Sequence, residues 1–351
     1  MREALPLPAP PKHLDASFHS HALELIRSAF PSKTIDTLKI ERLSCAMTNE
    51  VYLCLLPSNE KILLRVYGKG TELFFERHRE LATFRKLSEK GFGPKLIASF
   101  DAGRLEEWID SHTLNKDQIR DPETMKEIAQ EMHKLHNLFP EGSSEDCELW
   151  FGLDAWFEKA QVAIKSLHKD DLRELSLSQI RGEIDELRDF LANHTHAPVV
   201  FCHNDAQYGN ILRKKANGAL VLIDYEYAGY NYRGFDFGNH FCEWAANYDS
   251  PEPHKLDFSK YPTKDEQMIF FRAYLLYQHR KNDYPFNEFD LRHELEALYI
   301  ESNQYGLASH LKWALWGIIQ AAHSTIDFDY LEYARQRMRE YLLKKPLFLA
   351  L

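Results

Sequence analysis

The segment His203–Asn210, which reads HNDAQYGN, contains a histidine, an aspartate and an asparagine at the spacing H-x-D-x-x-x-x-N. A second aspartate, Asp224, directly follows the apolar run 220–223. This order is typical of a phosphotransferase, in which one carboxylate faces the acceptor hydroxyl. An amide and a second carboxylate then hold magnesium on the nucleotide phosphates, because Mg²⁺ prefers oxygen ligands. Two short strands around one loop would bring Asp205, Asn210 and Asp224 within a few ångströms of each other.

The elements that position this loop begin with a strand-rich region. Apolar residues alternate over 51–55, and 61–67 forms a second apolar run, so both segments are predicted to be strands. The spacing over 75–90 predicts a helix that ends at Gly91. Two further strands are expected at 97–100 and 104–109, and a short amphipathic helix precedes them all at 15–30.

After residue 110 the pattern becomes helical. Asp121-Pro122 predicts a helix start, with aspartate as the N-cap and proline at the first helical position. Thr263–Glu266 has the pattern of a capping box. The long apolar stretch 307–322 is too short and too polar for a bilayer span, so a buried helix is expected there.

Composition limits the partners. The net charge of the 351-residue chain is −10, which disfavours nucleic acid and is compatible with a cationic substrate. Five cysteines without CxxC spacing indicate reduced thiols in a cytoplasmic protein, with no zinc site. We find no signal peptide and no membrane span in the sequence, and a homodimer stays open as a hypothesis.

The motifs FCHNDAQYGN, at 201–210, and IDYEYAGYNYRGFDFGNHFCEW, at 223–244, closely resemble the choline/ethanolamine kinase family. The resemblance extends from about residue 43 to about residue 341, and it is closest to choline kinase. It implies an α+β, protein-kinase-like fold with two lobes. Residues 1–14 would form a disordered arm, 15–109 a small antiparallel-sheet lobe for ATP, and 110–351 a mainly helical lobe with the catalytic and amino-alcohol site.

The resemblance also implies catalytic roles. Asp205 would be the base that orients the acceptor hydroxyl, while Asn210 and Asp224 would hold Mg²⁺. Glu226 would reach the metal directly or through water, and Gln207 would contact phosphate. Asp236 is expected to brace the catalytic loop by hydrogen bonds without touching substrate.

The residues expected to bind ATP lie mostly in the first lobe. Arg65 ends a strand where protein kinases place a lysine, and Glu80 lies on the following helix as its expected partner. The hinge is placed at 106–109. The nucleotide-binding set is Thr48, Asn49, Arg65, Glu80, Glu107, Ile109 and Asp224. One departure concerns 44–49, SCAMTN, which lacks the glycine that the family usually has over the phosphates.

A trimethylammonium group cannot donate a hydrogen bond, and proteins hold it over aromatic faces near a carboxylate. Trp313 and Trp316 are three residues apart, so they share a helical face. Without the resemblance, a tryptophan pair on a buried helix is expected to be core. With it, the expected acceptor site is Glu243, Tyr248, Trp313, Trp316, Ile326, Phe328, Tyr330 and Tyr333.

We therefore expect Mg²⁺- and ATP-dependent phosphorylation of choline, the first step of phosphatidylcholine synthesis by the CDP-choline route. Ethanolamine kinase or dual activity is the alternative within the class. A more distant one is an aminoglycoside-type phosphotransferase, which should lack the Trp-x-x-Trp pair. The alternative from another class is a catalytically inactive amino-alcohol-binding or scaffold protein. A protein kinase is disfavoured, because the metal aspartate Asp224 is followed by Tyr-Glu instead of Phe-Gly, and no activation-loop and APE pattern follows it.

Overall fold

A computed structural model describes residues 16–43, 49–67, 77–168, 172, 174–282 and 288–351. The chain divides into two compact units. The first contains Met1–Ser111 with Lys214–Ala216, and the second contains His112–Arg213 with Asn217–Leu351. The expected arm at 1–14 lies outside the described residues, as does the glycine-free segment 44–48.

The first unit contains an antiparallel sheet in the order β1-β2-β3-β5-β4. Its elements are α1 (Ala16–Ala29), β1 (Lys39–Arg42), β2 (Asn49–Leu55), β3 (Lys61–Tyr67), α2 (Arg77–Glu89), β4 (Leu96–Phe100) and β5 (Gly103–Glu107). The sequence correctly predicted α1 and the strands β2 to β5, and α2 lies within the predicted 75–90. It missed β1 as a separate strand, because only Ile40 in that strand is not exposed. Residues Phe18 and Ile26 of α1 belong to the same buried core as Leu64 and Leu105 of the sheet.

The second unit is mainly helical. Its helices are α3 (Pro122–His136), α4 (Leu149–Ala163), α5 (Leu177–His194), α6 (Arg233–Cys242), α7 (Lys264–Asn282), α8 (Glu288–His323) and α9 (Tyr330–Phe348). Five short strands accompany them: β6 (Ser111–Thr113), β7 (Val199–Cys202), β8 (Ile211–Lys214), β9 (Leu220–Leu222) and β10 (Gly229–Tyr232). Among the described helices, none is both long and apolar enough to cross a bilayer.

The predicted helix starts are confirmed by their caps. The Asp121 carboxylate accepts a hydrogen bond from the Thr124 backbone N–H at 2.9 Å, with Pro122 at the first helical position. In the capping box, the Thr263 backbone N–H donates to Glu266 Oε2 at 2.8 Å, and the Glu266 N–H donates to Thr263 Oγ1 at 3.3 Å. These reciprocal bonds satisfy donors that the first helical turn leaves free.

Helices α6 and α8 pack closely because glycines face each other where they meet. A Cβ atom on Gly238 would lie 2.6 Å from the Cα atom of Gly306, a distance that real side chains do not tolerate. The stretch 307–322 of α8 is almost entirely buried, as expected. The close contact brings polar residues of α6 near the aromatic residues of α8.

Candidate active site

The catalytic loop is anchored at both ends by short strand pairs. β7 pairs antiparallel with β10, and β8 pairs with β9, with Ile211 opposite Leu222. The chain turns sharply at Asn204 and at Asp224, whose φ angles are 64° and 66°. Asparagine and aspartate tolerate this left-handed conformation better than most residues. The two turns place Asp205 three residues after β7 and Asp224 two residues after β9.

Asp205 and Asn210 are in direct contact. The Asn210 Nδ2 atom donates to the Asp205 carboxylate at 3.0 Å and to the Asp205 backbone carbonyl at 2.9 Å. Asn210 is therefore oriented by its amide nitrogen, and its amide oxygen is the atom left to act as a ligand. Burial raises the pKa of Asp205 well above its usual range, and the charge of Glu243 raises it further, whereas Lys312 lowers it.

Asp236 braces the catalytic loop from α6, as expected. It is fully buried, and its carboxylate accepts hydrogen bonds from the backbone N–H groups of His203 at 2.9 Å and Asn204 at 2.7 Å. His136 Nε2 lies 3.0 Å from the same carboxylate. Burial alone would raise the pKa of Asp236, but the hydrogen bond from His136 and its charge hold the pKa below the usual value.

One face of α6 serves the site. The three- and four-residue spacing that places side chains on one side of a helix relates Asp236, Asn239 and His240 of α6, and it continues to Glu243 directly after the helix. Asn239 Nδ2 donates to the Asn204 backbone carbonyl at 3.4 Å, and His240 Nδ1 lies 2.7 Å from the Ala206 carbonyl. Burial lowers the pKa of His240, so this imidazole donates as a neutral ring.

Two of the residues predicted to hold metal, Asp224 and Glu226, exert their negative charge on Tyr227. Burial raises the pKa of the Tyr227 phenol well above its usual value, and the charges of Glu226, Asp205 and Asp224 add to the rise. The negative charges of three carboxylates therefore all disfavour ionisation of the Tyr227 phenol. An Asn210 amide oxygen with the Asp224 and Glu226 carboxylates is the donor set that suits Mg²⁺, whose charge would offset their mutual repulsion.

Gln207 has a local structural role in the loop. Its side-chain carbonyl accepts a hydrogen bond from the Gly209 N–H at 2.6 Å and caps a single 3₁₀ turn over 208–210. The amide nitrogen is the part of Gln207 that could donate to phosphate.

The predicted aromatic residues form a ring cluster, by which we mean Trp316, Phe328, Tyr330 and Tyr333. The Trp316 ring centroid lies 5.4 Å from that of Tyr330 and 5.9 Å from that of Tyr333, both edge to face. Phe328 lies 4.7 Å from Tyr330 and 5.6 Å from Tyr333. All four side chains are buried, at the contact between α8 and α9.

Two other predicted acceptor residues differ from the members of this cluster. Trp313 adjoins Trp316, with ring centroids 5.6 Å apart, but its indole N–H donates to Asn239 Oδ1 at 2.6 Å. Trp313 is thus tied to α6. Ile326 lies between α8 and α9 with 41% of its surface exposed, unlike the buried rings of the cluster.

Glu243 does not present a lone carboxylate to a substrate. Its Oε2 atom accepts a hydrogen bond from the Tyr248 hydroxyl at 2.6 Å, and its Oε1 atom forms an ion pair with Arg337 Nη2. Arg337 is fully buried and also donates to the Tyr333 hydroxyl, at 2.8 Å from Nη2. Glu243 and Arg337 therefore hold Tyr248 and Tyr333 in place, and their opposite charges offset each other.

Sequence reasoning missed Arg337. The available signal was its position four residues after Tyr333, on a helical face that continues with Ala334, Met338 and Tyr341, all buried. A charged residue within such a buried face needs a charged partner. The pattern predicts that a partner exists, but it does not identify Glu243.

In the first unit, the ion pairs differ in part from the expectation. Arg65 donates through Nε to Glu106 at 3.0 Å, and Arg104 Nε donates to the same oxygen at 2.7 Å. Glu80, expected as the partner of Arg65, forms an ion pair with Arg104 Nη1. All four side chains are buried, and Arg104 and Glu106 were not predicted as members of this network. Burial raises the pKa of Glu106, but the charges of Arg104 and Arg65 outweigh that effect and lower it.

The other predicted nucleotide residues of this unit are described only in part. Asn49 begins β2 and is buried, whereas Thr48 lies outside the described residues. The Glu107 backbone N–H donates to the Lys95 carbonyl at 2.9 Å, and the Ile109 carbonyl accepts from Ser111 Oγ at 3.0 Å.

Comparisons with known proteins find similar sequences and a similar fold. A family model described as choline/ethanolamine kinase matches residues 40–342. The Arabidopsis thaliana protein named Probable choline kinase 1 is 39% identical over 321 residues, which cover 90% of this chain and 89% of that protein. Probable ethanolamine kinase of the same plant is also 39% identical, over 314 residues that cover 88% of this chain and 80% of that protein. The crystal structure of a choline kinase from Cryptosporidium parvum Iowa II superposes with a TM-score of 0.79 and 26% identity, covering 93% of this chain and 95% of that one.

Proposed function

This chain belongs to the choline/ethanolamine kinase family, and we propose that it transfers the γ-phosphoryl group of ATP to the hydroxyl of choline. The family and the protein-kinase-like α+β fold expected from the sequence are confirmed. Similar relatives carry the names of choline kinase and of ethanolamine kinase at equal identity, so ethanolamine is the second acceptor we propose to test.

The observation that carries the proposal is a physical link between the base and the ring cluster. Asn239 on α6 donates to the backbone of the catalytic loop and accepts the indole N–H of Trp313, which adjoins Trp316. A hydroxyl-activating carboxylate and a set of aromatic faces thus share one rigid support. An acceptor that carries a hydroxyl at one end and an ammonium at the other matches this pair of sites.

In the proposed reaction, the acceptor oxygen attacks the γ-phosphorus, and the bond to the β,γ-bridging oxygen breaks as ADP leaves. Asp205 accepts the hydrogen bond of the hydroxyl and takes its proton, while Asn210 fixes the carboxylate from the other side. Because the transition state of phosphoryl transfer is loose, most of the contribution of Asp205 is orientation of the nucleophile.

Asn210, Asp224 and Glu226 are the residues that we propose to hold Mg²⁺. The bound ion would neutralise charge on the phosphates. For the nucleotide we propose Arg65, Thr48, Asn49, Glu80, Glu107 and Ile109, with Gln207 donating to phosphate. Glu106 and Arg104 support Arg65 and Glu80 through their shared ion pairs.

Choline is the acceptor favoured by the charges of the site. The ring cluster offers aromatic faces, and the carboxylate of Glu243 is already neutralised by Arg337. A trimethylammonium needs only the faces of the rings. A primary ammonium has three N–H donors and loses hydrogen bonds to water that the ring faces do not replace.

The alternatives have less support. An inactive binding protein would have no need of the contact between Asp205 and Asn210 or of the brace from Asp236, and both are intact. The aminoglycoside-type alternative should lack the Trp313–Trp316 pair, which is present, with Trp316 packed against Tyr330 and Tyr333 of α9.

The experiment is steady-state kinetics of the purified full chain with saturating Mg-ATP and either choline or ethanolamine. We expect turnover of both, with a higher kcat/KM for choline. ATP-dependent turnover of neither amino alcohol would refute the kinase proposal. A higher kcat/KM for ethanolamine would leave the kinase and overturn its substrate preference.

For the cellular setting we propose a cytoplasmic enzyme that supplies phosphocholine to phosphatidylcholine synthesis by the CDP-choline route. Cys54, Cys147, Cys202 and Cys242 are free thiols, as expected in a reducing compartment. Homodimer formation stays a hypothesis, which sedimentation of the purified protein would test.

A further inference from the structure

Lys312 on α8 directs its ammonium among four aromatic rings, which we call the lysine box: Trp156, Tyr227, Phe235 and Trp313. The Nζ atom lies 5.4 Å from the Trp156 centroid and 5.1 Å from that of Tyr227. The distances to Phe235 and Trp313 are 5.2 and 5.5 Å. The rings come from α4, from the segment after β9, from α6 and from α8. This arrangement is how proteins bind a free alkylammonium ion.

The groups that face Lys312 affect its pKa through their electric charge. Burial lowers its pKa to about 8, and the carboxylates of Asp205 and Asp236 oppose this shift through their charge, as does the Cys202 thiol to a smaller extent. Asp236 is already engaged by His136 and by two backbone N–H groups of the catalytic loop. At pH 7 the lysine is therefore a cation held mainly by ring faces.

The lysine box and the ring cluster are adjacent. Trp313 belongs to the box, Trp316 belongs to the cluster, and their rings meet edge to face at 5.6 Å. Tyr227 also connects the lysine box with the ring cluster. Its ring centroid lies 5.1 Å from Lys312 Nζ, and a hydrogen bond with Trp316 lowers the pKa of its phenol. The molecule thus has two neighbouring aromatic sites suited to a cation, and its own side chain fills one of them.

We propose that Lys312 determines where the acceptor binds, because its own ammonium occupies the lysine box and thereby confines the ammonium of the acceptor to the ring cluster. This inference rests on the proposed function. It follows that the acceptor can approach Asp205 from one side only, with its hydroxyl directed toward the carboxylate. It also follows that two positive charges face each other across the Trp313–Trp316 contact in the substrate complex.

The test compares the wild-type chain with Lys312→Met and Lys312→Gln, which remove the charge, and with Lys312→Arg, which keeps it. Removing a neighbouring like charge should lower the KM for choline and for ethanolamine about fivefold. The arginine variant should keep the wild-type KM for both acceptors. In parallel, calorimetric titration with tetramethylammonium at pH 7 should show the same gain in affinity for the uncharged variants. A purely structural lysine would give no gain in affinity on removal.

An unchanged or higher KM in the folded uncharged variants would overturn the proposal, and so would an arginine variant that behaves like them. Loss of the fold in both uncharged variants would also overturn it, because Lys312 would then be a packing residue. If the wild-type chain turned over neither amino alcohol, the proposed function would fail. The tetramethylammonium titration would still decide whether Lys312 limits cation binding to the rings.

Discussion

Asp205 is the residue at which the charges of the site converge. Burial raises its pKa, Glu243 and Asp224 raise it further, and Lys312 and the Asn210 amide act in the opposite direction. The pKa of this carboxylate is therefore influenced by charges from three separate segments of the chain, and Asn210 holds it by a hydrogen bond. Its function depends on how it is held as much as on its basicity.

Replacing Asp205 by asparagine should reduce kcat by a factor of about 10² to 10⁴, the usual contribution of a positioned acid or base. Nucleotide affinity should stay near the wild-type value, because the loss concerns the transition state. Turnover with choline and binding of a fluorescent nucleotide analogue would measure the two effects. Asp189→Asn on the exposed face of α5 is the matched control. Near-normal turnover of the Asp205 variant would remove this residue from the mechanism.

Because Trp316 belongs to the ring cluster and Trp313 does not, the contributions of the two tryptophans can be distinguished by substitution. Trp316→Ala should raise the KM for choline by up to about thirtyfold, since a ring face contributes ~0.5–2 kcal/mol to a desolvated cation. The KM for ethanolamine should rise less, because its N–H donors can bind water instead. Trp313→Ala should impair both acceptors alike, because it also removes the hydrogen bond to Asn239.

Steady-state kinetics with both acceptors would measure these effects, with Phe151→Ala as the control, since that ring is 78% exposed on α4. Equal losses for choline and ethanolamine in Trp316→Ala would assign this ring to packing, and the choline preference would have to be withdrawn.

At the scale of elements, α6 is the part on which the site depends most. Its Asp236, Asn239 and His240 side chains bind the backbone of the catalytic loop, and Glu243 fixes Tyr248 one turn later. The helix can do this only because Gly238 lets it approach α8 closely. Packing between α6 and α8 therefore controls the catalytic loop and the position of Trp313 together.

Gly238→Ala should destabilise the protein by roughly 1–3 kcal/mol, the usual range for forcing an extra carbon into a packed interior. Gly182→Ala on α5 is a matched control, because its added Cβ would meet no atom within 4 Å. That change should stabilise by about 0.5–1 kcal/mol, since alanine favours a helix over glycine. Denaturant unfolding of both variants would measure the difference. Equal stability of the two variants would contradict the close packing.

At the scale of the whole molecule, the buried charges make stability depend on pH. Lys312 has a pKa of about 8 in the folded protein against 10.5 for an ordinary lysine. Below pH 8 it is protonated in both states, so the folded state bears the full penalty of the buried charge. Between pH 8 and 10.5 the unfolded state binds more protons than the folded state, so stability rises with pH.

Lys312→Met should therefore be more stable than the wild type at pH 7, by on the order of 3 kcal/mol at most. The difference should shrink as the pH rises from 8 to 10.5, because the wild-type lysine loses its proton in the folded state first. Thermal unfolding of both proteins across this range would test it. A difference independent of pH would show that the rings and Asp205 fully compensate the buried charge.

The spacing of residues close together in the sequence was enough to predict the catalytic loop and several helices and strands. The loop HNDAQYGN, the strand 61–67 and the two caps are set by backbone geometry over a few residues, so the sequence predicted them. The Asp236 brace follows from its place on a short helix after a tight turn. The aromatic residues of α8 and α9 were found because helical spacing and family resemblance agreed.

The tertiary structure alone decided which charges meet. Glu243 and Arg337 are 94 residues apart, Arg65 and Glu106 are 41 apart, and the lysine box draws rings from three helices and one loop segment. A buried charge requires a partner wherever it lies, so the sequence implies that each partner exists. Which partner it is depends on how helices and strands pack, because side chains distant in the sequence meet only once that packing has formed.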